Sequence, residues 1–131
     1  MKNNTENSTP LIWRITDYGG QEVQLKEHTH DVHVLTEKNR KELKDPEILK
    51  GIIKNPRWVL ADKAYENRVH YTDTCHLIEL NGVYWVDVIV DKSEKPYDIV
   101  TAMATRTIPR TGGVIYDREQ TTSSSTVRFS T

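Results

Sequence analysis

Three groups of residues carry the functional groups that catalysis needs. His28, His30 and His33 form a His-x-His-x-x-His run. Two imidazoles two positions apart on a strand face the same way, a donor set that suits a metal ion. A histidine cluster in a polar stretch also reads as solvated loop. Arg68 and His70 lie on one side of an alternating segment, with Thr72 beyond them. An imidazole can give or take a proton near neutral pH, and a guanidinium stabilises phosphoryl charge bidentately. Together they supply parts for metal-free phosphodiester cleavage, although the same pair also reads as the solvent side of an amphipathic strand. The third group is residues 100–106, where Thr101, Met103 and Thr105 alternate with Val100, Ala102 and Ala104 before Arg106. Threonine is common on strands for propensity alone. No P-loop, GxSxG, HExxH or paired CxxC is present. Cys75 is the only cysteine, which excludes an intrachain disulfide and a thiolate zinc cluster. It reads as a small buried hydrophobe in a strand.

The elements that must position these groups are legible in order. Residues 11–15 and 22–26 flank Asp17-Tyr18-Gly19-Gly20, a turn signal, and predict a short hairpin. Residues 36–44 predict a largely solvated helix, capped by Thr36, with helix-spaced pairs Glu37/Lys41 and Lys38/Glu42. A second helix follows, with Asp45 as N-cap, Pro46 at its first position and Glu47 at the positive end of its dipole. Ile48, Leu49, Ile52 and Ile53 form one apolar stripe, and Asn55-Pro56 ends it. From Arg57 onward the pattern is of strands. Asn81-Gly82 between two apolar runs is a strong hairpin signal. A two-residue turn there would pair Leu80 with Val83 and His76 with Asp87. One face would then carry Cys75, Leu77, Tyr84, Val86, Val88 and Val90 toward the helices. The other would carry His76, Ile78, Trp85, Asp87 and Ile89, which suggests a binding surface. Residues 97–105 form a further run, and Val114 to Tyr116 a short edge strand. Helices first and strands after predict an α+β fold: short N-terminal helices packed on a four- to five-stranded antiparallel meander sheet.

The 131 residues suit one domain, taken as residues 11–119, between a flexible tail at 1–10 and a Ser/Thr-rich tail at 120–131. A net charge of −1 argues against a strongly basic nucleic-acid coat protein but leaves room for a local basic patch. No run approaches the roughly 20 apolar residues of a membrane span, so no membrane partner is expected.

The ordered pattern resembles a known group. A polar, basic helix precedes Glu47-Ile48-Leu49-Lys50-Gly51-Ile52-Ile53-Lys54-Asn55-Pro56-Arg57-Trp58-Val59. An Arg/His strand follows, then a long hairpin with Val86-Asp87-Val88-Ile89-Val90, and Asp98-Ile99-Val100-Thr101-Ala102. This is similar to the phage and polymorphic-toxin branch of the barnase–EndoU–colicin–RelE fold, over about residues 32–116. The resemblance implies a cofactor-free, metal-independent endoribonuclease that cuts RNA, with tRNA among the substrates, by 2′-hydroxyl attack to leave a cyclic phosphate. It implies an immunity or antitoxin protein as partner and a cytoplasmic site of action, with delivery from another cell or a phage. Thr101 matches the family's strand threonine; Arg68 and His70 match its polar strand positions. The family's first helix carries a His or a basic residue; here it offers Arg40, Lys41 and Lys44, with His33 just before. Thr101, Arg68, His70, His33 and Arg40 are therefore the expected catalytic residues, and Trp85, Arg106 and His76 the expected substrate-binding ones. Two other readings stay open: a non-catalytic binding or phage-structural domain of the same fold, and a small metal enzyme or sensor built on His28, His30 and His33.

Overall fold

A computed structural model of the chain describes residues 10–36, 39–109 and 112–119. Among them, seven strands form one mixed sheet: β1 (Leu11–Thr16), β2 (Glu22–Lys26), β3 (Trp58–Ala61), β4 (Arg68–Leu77), β5 (Gly82–Asp91), β6 (Tyr97–Thr105) and β7 (Val114–Asp117). Their spatial order is β1-β2-β6-β5-β4-β3-β7. Between β2 and β3 lie a π-helical segment (Thr29–Thr36), a short 3-10 turn (Lys41–Leu43) and the helix α1 (Pro46–Lys54). The α+β class matches the expectation. The sheet is larger than four to five strands, because the expected hairpin over 11–26 forms as β1–β2 and joins it ahead of the helices. It is also not wholly antiparallel, because β2 joins β6 in parallel through Val23↔Tyr97 and Gln24↔Asp98. Adjacent hairpins are local and can be read from turn residues. The β2–β6 and β3–β7 pairings are non-local and follow from burial.

Helix α1 forms where its caps predict. Asp45 Oδ1 accepts a hydrogen bond from the Glu47 amide at 2.9 Å, Pro46 opens the helix, and Asn55 caps its end. Leu49, Ile52 and Ile53 are buried, at roughly 1.5–3 kcal/mol of hydrophobic stabilisation for each. They pack on the sheet face that carries Tyr71, Val86, Val88, Val90, Ile99 and Ala102. Trp13 Nε1 donates to the Pro46 carbonyl at 3.1 Å, fastening β1 to the start of α1.

The helix expected over 36–44 does not form as one piece. Asn39 has a φ of 55°, in the left-handed region. Residues 37 and 38, and with them one partner of each expected ion pair, lie outside the described residues. Val34 and Leu43 are both fully buried. The expected tails, Pro10 apart, also lie outside the described residues.

The β4–β5 hairpin closes differently from its turn signal. Leu77 pairs with Gly82 and His76 with Val83. Residues Ile78–Leu80 form a 3-10 turn, capped by Asn81 with a φ of 51°. The register moves by an even number of residues, so the side chains that remain in the strands keep their expected faces, while Ile78 passes into the turn. At the other end of the molecule the β1–β2 turn reaches across the curved sheet. Tyr18 stacks on Tyr116 of β7 at 4.2 Å, and Asp17 Oδ2 accepts from the Tyr71 hydroxyl at 2.6 Å. Among the described residues no helix is long and apolar enough to cross a membrane.

Candidate functional site

Strand β6 carries an extra residue. Val90 pairs with Ile99 and Ile89 with Thr101, leaving Val100 in a bulge. A bulge bends its strand and re-aims the neighbouring side chains. Beside it lies a cleft of about 460 Å³ lined by Lys26, His33, Arg68, Asp98, Val100 and Thr101, among others. Three of the five expected catalytic residues thus meet from β4, β6 and the π-helical segment. A fourth joins behind them: Arg40 Nη1 donates to Thr101 Oγ1 at 3.2 Å and to the Ala102 carbonyl at 2.5 Å. Thr101 Oγ1 in turn donates to the His33 carbonyl at 3.0 Å. One hydroxyl therefore ties the segment bearing His33 and Arg40 to the bulged strand. Burial lowers the pKa of Arg40, against an opposing pull from Glu42, and the guanidinium stays a cation.

The cleft's two cations are paired loosely with their carboxylates. Lys26 Nζ lies 3.7 Å from Asp98 Oδ2, and Arg68 Nε lies 3.7 Å from Asp91 Oδ2, with all four side chains about a third exposed. Both distances exceed a hydrogen bond, and exposed pairs of this kind contribute about 0–1 kcal/mol. A phosphate that accepts good hydrogen bonds from these cations can compete with such partners.

His70, the expected acid–base group of β4, sits elsewhere. Its Nδ1 lies 2.9 Å from one oxygen of Asp87 and 3.0 Å from the other, and its Nε2 lies 2.7 Å from Asp62 Oδ1. The His70 and Asp87 side chains are only 8% and 4% exposed. Burial pulls the pKa of His70 down, but the hydrogen bonds and charges of Asp87 and then Asp62 outweigh it and raise the value overall. The His70 hydrogen bond, followed by the Tyr65 amide, lowers Asp62 to about 2. A carboxylate at each ring nitrogen favours the imidazolium form and leaves neither nitrogen facing the cleft. The strand alternation places Arg68 and His70 on one face, as expected, but their environments differ because Asp62 folds back over His70.

The expected substrate-binding residues do not line the cleft. Trp85 stacks on Trp58 at 5.3 Å, with the Arg57 guanidinium 4.0 Å from the Trp58 ring centre. Trp85 is four residues along β5 from Ile89, the partner of Thr101, or roughly 13 Å away. His76 lines a separate groove of about 390 Å³ with Glu42, Asp45 and Ile78. Arg106 lies over Tyr84 at 5.5 Å. The three histidines of the His-x-His-x-x-His run do not converge. His28 and His33 meet edge to face at 5.5 Å, while buried His30 turns its Nε2 to the Leu43 carbonyl at 2.9 Å. Among the described residues, no group of three or more His, Cys, Asp or Glu comes together to hold a metal. Helical winding over 29–36, in place of an extended strand, is the reason. Burial and then Asp73 raise the pKa of Cys75, which keeps its thiol protonated.

Lys26, Asp98 and Asp62 are not among the expected site residues. The first two reach the cleft through the parallel β2–β6 pairing, which leaves no local signal. Asp62 had one: an Asp opening a short polar turn accepts backbone N–H groups two and three residues on. No protein-family model, curated protein or solved structure matches the chain.

Proposed function

We propose that the cleft cleaves RNA as a metal-independent endoribonuclease. The observation that carries the reading is the convergence of His33, Arg68 and Thr101 on one cleft, with Arg40 bonded behind Thr101. Their sequence separations are too long for the pattern to be local. In this reaction the His33 imidazole takes the proton of a ribose 2′-hydroxyl. The 2′-oxygen bonds to the adjacent phosphorus, the bond from phosphorus to the 5′-oxygen breaks, and the 5′-oxygen takes a proton from water. Arg68 and Lys26 face the charge that grows on the phosphoryl oxygens, the interaction that matters most in phosphoryl transfer. Thr101 and Arg40 act as positioning residues by holding the His33 segment on β6. RNA as partner, a toxin role and a dedicated immunity or antitoxin protein belong to this same proposal.

The test is incubation of purified protein with total tRNA in EDTA, followed by mapping of fragment ends. The expected products carry 2′,3′-cyclic phosphates, and His33→Ala and Arg68→Ala lower their yield by about a hundredfold or more. Intact RNA, together with harmless expression in bacteria, would sink the reading. A non-catalytic RNA- or protein-binding domain is the second reading. It is favoured by the carboxylates Asp98 and Asp91 opposite both cleft cations, which weaken the pull on phosphate. Oligonucleotide binding without cleavage would support it over the first.

A further inference from the structure

The β3–β4 turn, residues 62–67, leads into Arg68, which lines the cleft, and is held by backbone and side-chain hydrogen bonds. Asp62 Oδ2 accepts from the Ala64 amide at 2.9 Å and from the Tyr65 amide at 2.8 Å. The Arg68 amide donates to the Tyr65 carbonyl at 3.1 Å, and the Lys92 amide donates to the Asn67 carbonyl at 2.7 Å. Asp62 is itself held by buried His70. The turn therefore has a fixed backbone, yet the side chain it presents is open: Tyr65 is 58% exposed. The Arg68 guanidinium carbon lies 4.4 Å from the centre of its ring, and Arg68 also lines the cleft.

An exposed aromatic ring held in place by its backbone can take a flat partner with little further loss of freedom. Every nucleobase offers such a flat face, and stacking on aromatic side chains is how sequence-tolerant proteins hold single-stranded nucleic acid. The neighbouring guanidinium is the group that would hold the phosphate. Base site and phosphate site are then adjacent, as base and phosphate are within one nucleotide.

We infer that Tyr65 is a base-stacking platform: its exposed ring receives a nucleobase of single-stranded RNA whose phosphate is held by Arg68 in the cleft. The inference rests on the RNA reading of that cleft. It adds a binding residue to which the resemblance gives no role, and assigns the His70–Asp62 pair the task of holding the platform still.

The test uses a short 2′-O-methyl RNA oligonucleotide, which has no 2′-hydroxyl to attack and so binds without being cut. Affinity is read by fluorescence anisotropy for the full-length wild type, Tyr65→Phe and Tyr65→Ala. Each protein is also given the same oligonucleotide with one base removed at each position in turn. Tyr65→Phe is expected to bind within about threefold of wild type, and Tyr65→Ala about tenfold or more weaker. In the wild type one missing base weakens binding, and in Tyr65→Ala that penalty disappears. A tyrosine that merely props Arg68 would leave the penalty in place, and this result overturns the inference. So does unchanged affinity in Tyr65→Ala. If Tyr65→Ala does not fold, Tyr65→Leu against Tyr65→Phe makes the same comparison. Cleavage of tRNA by the wild type with unchanged Tyr65→Ala binding removes the platform alone. A wild type that neither binds the oligonucleotide nor cuts tRNA removes the platform and the RNA reading together.

Discussion

His33 and His70 are both expected catalytic histidines, and one lines the cleft while the other is buried beside two carboxylates. His70 is buried, and both of its ring nitrogens face carboxylates within 3 Å. His33 lines an open cleft whose cations keep their carboxylate partners 3.7 Å away. A fully partnered buried charge costs too much to disturb, so the first arrangement serves the fold. Loosely paired charges at a concave surface can change partners, so the second suits a substrate. A histidine on a strand therefore says little about its role until its neighbours are known. The neighbour that decides for His70 is Asp62, eight residues before it.

The comparison can be broken from either side. The largest expected effect is on stability. Asp87→Ala leaves an imidazolium buried without its main partner, at a cost of about 3–5 kcal/mol, read as a shift in denaturant midpoint. A cost below about 1 kcal/mol would mean that the pair is not the anchor described. His33→Ala is expected to do the reverse. Cleavage falls by about a hundredfold or more, the usual contribution of one acid–base group, while the denaturation midpoint moves less than in Asp87→Ala. Equal loss of stability in both variants would erase the distinction between the two sites.

The clamp also predicts a pH profile. Folding raises the pKa of His70 above its ordinary value. Its share of stability is complete below that ordinary value and is lost as pH rises through the raised one. Asp62 behaves oppositely: its folded value of about 2 gives stability that is present above the usual carboxylate range and lost as pH falls toward about 2. Stability should thus peak between these limits, and His70→Gln should flatten the alkaline side in thermal melts. An unchanged alkaline fall in that variant would assign the loss to another group. Thr101→Val is expected to cost about 1 kcal/mol by removing hydrogen bonds to Arg40 and the His33 carbonyl. It should lower cleavage by more than that stability loss explains, because His33 loses its tie to β6. The smallest effect is at the exposed Lys44–Glu79 pair, 3.1 Å apart. Glu79→Gln should change stability by less than about 0.5 kcal/mol.

Much of the framework was legible from local chemistry. Asp45, Pro46 and Asn55 bound α1 because capping involves residues next to one another in the chain. The Asp17–Gly20 turn marked the first hairpin for the same reason. The alternation of Leu77, Val86, Val88 and Val90 identified the buried sheet face and survived the change of register, since strand periodicity depends only on parity. The turn type at Asn81 was not legible. Asn tolerates the left-handed region equally in a two-residue hairpin turn and as the cap of a 3-10 turn.

The amino-acid sequence by itself determined an α+β chain, the α1 helix, the core stripe and a short set of polar residues with the right chemistry, Thr101, Arg68, His33 and Arg40 among them. The tertiary structure alone decided which of these meet. The parallel β2–β6 pairing delivers Lys26 and Asp98, the bulge at Val100 sets Thr101 against the His33 segment, and Asp62 folds over His70 and withdraws it from solvent. Each of these joins residues far apart in sequence or depends on burial by other elements. The free energy that selects them lies in the packed whole, and no window of the chain contains it.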